Sequence, residues 1–222
     1  RTLEALKLNG NALGVAPTGA GKTILFSEVI GRHLAGNSLK ALVLAHRDEL
    51  TDQNRSKFSL VNPSIATSIY DARTKSWDGR VTFAMVQTLS LTANINAMPP
   101  FDLLVIDEAH HAAANTYRTI IDRVLELNPN CIVFGVTATP NRSDGKGLRD
   151  VFSNVSDQIT LAELIRSGHL VTPRTFVIDV GVKNQLSSVR KVGSDFDMNA
   201  VDQIMNQRPI NGAVVDQWLE KG

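Results

Sequence analysis

The sequence has one cysteine, Cys131, few aromatic residues (5%) and almost no net charge, since 23 basic residues face 22 acidic ones. Each shortage excludes something. A single thiol cannot close an internal disulfide, so this is no cross-linked secreted scaffold, and a reducing compartment suits it. Cys131 opens the apolar run Cys131-Ile132-Val133-Phe134, where a buried structural thiol is expected rather than a reactive one. No apolar stretch approaches the roughly 18 to 20 residues that span a bilayer, and no signal-peptide pattern opens the chain. No membrane partner is therefore expected. A formal charge of +1 removes any global electrostatic case for nucleic acid, leaving only local patches to make one.

What is present is ordinary globular material: 222 residues, 43% hydrophobic and 20% charged, enough to bury a sizeable core. That length allows one large domain, or one domain and a piece of another. Arg1-Thr2-Leu3-Glu4-Ala5-Leu6 already has helical character without an initiator Met, and Trp218-Leu219-Glu220-Lys221-Gly222 closes on another helical pattern. The expectation is a piece of a longer protein.

Short apolar runs alternate with amphipathic stretches. Strands are expected at Asn11–Ala16, Ala41–Ala45, Arg80–Met85, Leu103–Ile106 and Cys131–Val136. Helices are expected between them at Lys22–Leu34, Arg47–Phe58, Gln87–Asn94 and Tyr117–Leu127. In the last, Ile120, Ile121, Val124 and Leu125 share one face. Alternating strands and helices predict a parallel sheet with helices on both faces, a three-layer α/β/α fold. Past residue 170 the character changes. A helix at Leu161–Ser167 ends at Gly168, Arg174–Val180 reads as a further strand, and residues 181–195 are polar. Two helical stretches then flank Pro209, marked by Met198, Val201, Ile204 and Met205, and by Ile210, Val214, Val215 and Trp218. We expect a domain over 1–172, with 173–222 connecting to a further lobe.

Ala16-Pro17-Thr18-Gly19-Ala20-Gly21-Lys22-Thr23 lies between an expected strand and an expected helix. It matches the phosphate-binding loop, with Ala16 where that pattern has its first glycine. Gly19 and Gly21 let backbone amides turn toward phosphate oxygens. The helix behind them aims its positive end at the same anion. Lys22 is placed to reach the β- and γ-phosphates and the Thr23 hydroxyl to ligate Mg²⁺. Pro17, Thr18 and Ala20 complete the loop.

Leu103-Leu104-Val105-Ile106 runs directly into Asp107-Glu108-Ala109-His110. Two acids at the end of a buried strand put carboxylates at the sheet's C-terminal edge, where open α/β folds bind ligands. Asp107 suits Mg²⁺, and Glu108 suits orienting and deprotonating an attacking water. That water is what separates a hydrolase from a kinase. For His110, a hydrogen-bonding relay is a better reading than a metal ligand, because no third ligand is spaced to help.

With these residues in hand, the chain resembles the superfamily 2 helicases and translocases, and among them the DEAH-box members. Ala16–Thr23 resembles motif I, Asp107–His110 motif II and Thr137-Ala138-Thr139 motif III. Ala45-His46-Arg47-Asp48-Glu49-Leu50 is similar to motif Ia, and Val86-Gln87-Thr88-Leu89 to the segment near motif Ib. The run Val136–Leu148 looks like the branch related to the helicase subunit of type III restriction enzymes, common in bacteria and phages.

The resemblance implies a RecA-like lobe that binds ATP and Mg²⁺ against a second such lobe of the same chain. Lobe closure would move DNA, single- or double-stranded and read without regard to sequence, with RNA left open. It implies that Thr137 and Thr139 couple nucleotide state to the strand, and that Arg47 and the Gln87-Thr88 turn face the strand's backbone. A cytoplasmic, bacterial or phage-encoded setting goes with it. Arg47 and Thr88 read equally as residues that open helices, and Arg142, Lys146 and Arg149 form either an added basic patch or a solvated loop.

Other readings stay in view. A motor that moves on duplex without unwinding carries the same motifs. A P-loop phosphotransferase fits poorly with Glu108 and with Thr137-Ala138-Thr139. A nucleotide-gated module without turnover fits poorly with an intact Glu108. The fragment by itself is expected to hydrolyse ATP weakly, because the arginines that the family carries on its second lobe lie beyond it.

Overall fold

The computed structural model describes all residues except 141–147, 177–180, 193–194 and 222. The chain divides into two compact units, Arg1–Val171 and Thr172–Gly222. In the first, seven strands form one sheet: β1 Asn11–Val15, β2 Ala41–Ala45, β3 Thr67–Tyr70, β4 Val81–Met85, β5 Leu103–Asp107, β6 Ile132–Thr137 and β7 Val155–Gln158. Their order is β3-β4-β2-β5-β6-β1-β7, and every pairing is parallel.

Burial explains why the central strands read as unbroken apolar runs. Alternate residues leave the sheet on opposite faces. Leu42, Leu44, Leu104, Ile106 and Val133 enter one core, while Ala41, Val43, Leu103, Val105 and Phe134 enter the other. The second core is covered by α1 (Thr2–Asn9), α2 (Lys22–Leu34) and α3 (Asp48–Val61), through Leu6, Phe26, Ile30 and Phe58. The first is covered by α4 (Val86–Leu89), α5 (Thr92–Asn96) and α6 (Asn115–Leu127), through Leu89, Ile95, Tyr117 and Ile120. This is the three-layer α/β/α arrangement that the alternating pattern predicts.

Several boundaries move. The helix expected at Gln87–Asn94 is two short helices, because Leu91 is extended (φ −67°, ψ 136°) and the Asn94 amide donates to the Thr88 carbonyl at 2.7 Å. A side-chain amide competing for a backbone acceptor breaks a helix in this way. Strands β3 and β7 were not expected. Both are four-residue edges, and Val155-Ser156-Asp157-Gln158 carries no apolar run to announce it. Helix α7, Leu161–Arg166, starts at a capping box between Thr160 and Glu163, and Gly168 beyond it adopts φ 75°.

In the second unit, Arg174–Phe176 has no regular structure, contrary to the expected strand, and the remainder of that stretch lies outside the described residues. Helix α8 (Lys183–Ser187) and a two-stranded antiparallel pair, β8 Lys191–Val192 with β9 Asp195–Phe196, occupy the polar segment. Helices α9 (Met198–Met205) and α10 (Arg208–Lys221) follow, with Pro209 in the first turn of α10, where its missing N–H costs nothing. Among the described residues no helix is long and apolar enough to cross a membrane.

Candidate nucleotide site

The site is built where β1 and β5 end. The loop from Ala16 to Gly21 leaves β1 with Gly19 at φ 84° and Gly21 at φ 78°. These left-handed conformations are costly for any residue with a Cβ, which is why glycine stands there. Ala16, by contrast, is not among the positive-φ residues, so the first position of the loop needs no glycine. Gly21 is the N-cap of α2 and no side chain caps that helix. Its first N–H groups and the positive end of its dipole therefore face the loop. Thr18, Gly19 and Gly21 are exposed, and Pro17, Ala20, Lys22 and Thr23 are half-buried.

Five side chains converge in front of this cradle. Lys22 Nζ lies 3.6 Å from Glu108 Oε1. Thr23 Oγ1 donates to Asn54 Oδ1 at 3.2 Å, and Asn54 Nδ2 donates to Asp107 Oδ2 at 2.8 Å. Lys22, Thr23, Asp107 and Glu108 all line one open cleft of about 360 Å³. The expected residues of motifs I and II are thus brought together.

Asp107 is 7% exposed. Burial pushes its carboxyl above the ordinary value of 3.8, and the nearby Glu108 charge adds to that. The Asn54 amide, the Glu108 backbone N–H and Lys22 oppose the rise. A buried carboxylate at the lip of an anion cradle calls for a cation. Among the described residues no group of three or more His, Cys, Asp or Glu side chains could form a protein metal cage. One carboxylate and one hydroxyl beside a phosphate cradle are the donors that Mg²⁺ accepts when substrate phosphates and water complete its shell.

Glu108 has φ 50° and ψ 53°, the one left-handed non-glycine conformation among the described residues. Such backbone costs of order 1 kcal/mol and persists where surrounding structure imposes it. Here the Glu108 N–H donates to Asp107 Oδ1 at 3.0 Å, and the following turn, Ala109–His111, is a 3₁₀ helix. The sequence shows the carboxylate but gives no sign of the turn that aims it at Lys22.

His110 Nδ1 lies 3.1 Å from Thr137 Oγ1 and 3.4 Å from Glu108 Oε2. Thr137 in turn exchanges hydrogen bonds with the Thr139 backbone, at 3.2 Å from its N–H and 3.3 Å to its carbonyl. A contact path therefore runs from the Glu108 carboxylate to the end of β6. On the other side, His111 stacks on His46 at 4.8 Å, and the His46 ring pairs with Gln87 Nε2 at 3.1 Å. Arg47 and Gln87 are exposed, but Thr88 is 7% exposed and its carbonyl is held by Asn94. Of the basic cluster, Arg142 and Lys146 lie outside the described residues, while Arg149 sits in a short 3₁₀ turn, Leu148–Asp150. Cys131 is buried with its thiol pushed up to about 12, chiefly by desolvation. It is structural, as expected.

Asn54 was not expected. It lies in the polar stretch Thr51-Asp52-Gln53-Asn54, which reads as solvated surface. One signal was available: Thr51, Asn54 and Phe58 fall on one helical face, and all three are buried.

The family described as "Type III restriction enzyme, res subunit" matches residues 1–142. The chain belongs to this family. It is 29% identical over 233 residues to a Saccharomyces cerevisiae protein named "Putative ATP-dependent helicase IRC3", covering 99% of this chain and 33% of that relative. It is 28% identical over 242 residues to the type I restriction enzyme EcoAI endonuclease subunit of Escherichia coli, covering 99% of this chain and 28% of that subunit. The chain thus spans about a third of the length of these relatives. Among solved structures, the Pyrococcus furiosus Hef helicase domain superposes with a TM-score of 0.58 at 24% identity, over 70% of this chain and 36% of that one. The fold is RecA-like, with the glycine loop after β1 and the acidic turn after β5 on the same sheet edge.

Proposed function

We propose that this chain is the ATP-binding lobe of an ATP-dependent DNA helicase or translocase of the DEAH type, in which hydrolysis drives movement along nucleic acid. The observation that carries the reading is the convergence of Lys22, Thr23, Asp107 and Glu108 in one cleft before an uncapped helix N-terminus. Backbone N–H groups from Thr18 to Gly21 and the Lys22 ammonium hold the phosphates, with Pro17 shaping the loop. Thr23 and Asp107 would hold Mg²⁺, which would supply positive charge against the phosphates. Glu108 orients a water in line with the terminal phosphate and takes its proton. His110 hands the state of that carboxylate to Thr137 and Thr139.

Arg47 and Gln87, exposed at the same edge, engage the backbone of a bound strand, which positions it without reading sequence. The buried Thr88, whose carbonyl accepts from the Asn94 amide, belongs to the turn that presents Gln87. Residues 173–222 lead toward a second RecA-like lobe, whose arginines complete the site. In comparable phosphoryl transfer an arginine finger contributes roughly 10³ to 10⁵ in rate, so residues 1–222 alone should turn over weakly. The similarity to a restriction endonuclease subunit along 99% of the chain favours a second form of the reading, translocation on duplex DNA without strand separation. The experiment is ATP hydrolysis by the full-length protein with and without DNA and RNA, followed by strand-displacement and triplex-displacement assays. Hydrolysis that no nucleic acid stimulates would sink the motor reading; triplex displacement without strand displacement would select its second form.

A further inference from the structure

Asn54 stands on α3 between the two side chains assigned above to Mg²⁺. Its Oδ1 accepts from Thr23 Oγ1 at 3.2 Å and its Nδ2 donates to Asp107 Oδ2 at 2.8 Å, and the residue is 3% exposed. We infer that Asn54 is a positioning residue that fixes Thr23 and Asp107, in separation and in orientation, for a shared divalent cation. The inference rests on the reading of the cleft as a Mg²⁺–nucleotide site.

The sheet itself leaves this task undone. Thr23 follows β1 and Asp107 ends β5, but β6 lies between those strands, so no ladder hydrogen bond ties one to the other. Asn54 reaches both from the helix packed over them. A primary amide suits the position because it carries an acceptor and a donor a few ångströms apart with no net charge. The direction of each bond also suits a cation. When Thr23 gives its proton to Asn54, both lone pairs of its oxygen remain for a metal. When Asp107 Oδ2 accepts from Asn54 and Oδ1 accepts from the Glu108 N–H, the carboxylate plane is fixed while each oxygen keeps a further lone pair. Partners of this kind, one shell out from the ligands, set ligand orientation at metal sites. Helix α3 does not need Asn54 for its place. Phe58 is fully buried and packs edge-on against Phe83 of β4, with ring centroids 5.6 Å apart.

The test uses full-length protein, a fluorescent ADP analogue and Mg²⁺. Wild type and Asn54→Ala are compared for the Mg²⁺ concentration that half-saturates nucleotide binding, and for nucleotide affinity in EDTA. Asn54→Ala should raise the Mg²⁺ half-saturation about tenfold or more while affinity in EDTA stays within about twofold. A cooperatively melting Asn54→Ala with unchanged Mg²⁺ half-saturation overturns the inference. So does an equal loss of affinity with and without Mg²⁺, which is what a merely structural amide would give. Asn54→Asp provides a second readout, without nucleotide. A carboxylate there faces Asp107, so Mg²⁺ alone should raise its melting midpoint more than it raises that of wild type. If Asn54→Ala fails to melt cooperatively, Asn54→Asp decides, and a Mg²⁺ response no larger than wild type refutes the assignment. A wild-type protein that binds no nucleotide at all would instead remove the reading of the cleft, and the inference with it.

Discussion

Lys22 Nζ rests 3.6 Å from Glu108 Oε1, with the two side chains 11% and 32% exposed. The cation that should meet phosphate is thus held by the carboxylate that should meet water. A triphosphate entering the cleft competes for the same ammonium, and its binding would release Glu108 for its own task. The pair is open to solvent on the carboxylate side, where such contacts are worth about 0 to 1 kcal/mol.

Lys22→Ala therefore separates binding from stability. The melting midpoint should move by no more than a few degrees, while nucleotide affinity falls about tenfold or more, as expected for loss of a charged hydrogen bond to phosphate. Thermal denaturation and fluorescent-nucleotide titration measure the two quantities. Unaltered affinity would take Lys22 out of the phosphate site.

Gly135 on β6 is a packing constraint on the acidic turn. A Cβ there would meet the Phe152 ring and come within 2.8 Å of the Ala109 Cβ. Gly135→Ala should cost about 1 to 3 kcal/mol by overpacking, read as a lower midpoint in urea unfolding. Because Ala109 begins the turn that carries His110, the folded variant should also lose turnover. Unchanged stability would mean that the sheet and the turn are not packed as described.

Stability should depend on pH through His33. Burial lowers its pKa from the ordinary 6.5, against a partial rise from Asp102 and with a further lowering from Lys7, and its Nε2 is buried without a hydrogen-bond partner among the described residues. A depressed pKa means that the unfolded chain takes the proton first. The stability His33 contributes is present above pH 6.5 and is lost as pH falls below it. Thermal melts from about pH 7.5 to about pH 5.5 should show a falling midpoint, and His33→Gln should flatten that slope. An unaltered slope in the variant would assign the effect to other groups.

The convergence of Lys22, Thr23, Asp107 and Glu108 in one cleft was legible because phosphate-binding chemistry fixes residue types at short spacing. Glycines at 19 and 21, a lysine at 22 and two acids closing an apolar strand leave few alternatives. The central strands were legible because burial on both faces writes an unbroken apolar run. The edges β3 and β7 were not, since a strand with one neighbour and an exposed face needs no such run. Asn54 was hidden because its two partners are 31 and 53 residues away in sequence, and nothing local marks a polar residue that faces inward. The left-handed backbone at Glu108 was hidden for a different reason: it is imposed by the packing of the turn, not by the residue's own preference.

The central claim is that this cleft hydrolyses ATP with Glu108 as the group that activates water. It is tested most directly by Glu108→Gln in the full-length protein, measured for ATP binding and for DNA-stimulated phosphate release. The substitution keeps the side chain's size and removes its ability to take a proton. ATP should bind with affinity close to wild type, while turnover falls by about 10² to 10⁴. Phosphate release near the wild-type rate, with ATP still bound, would contradict the account.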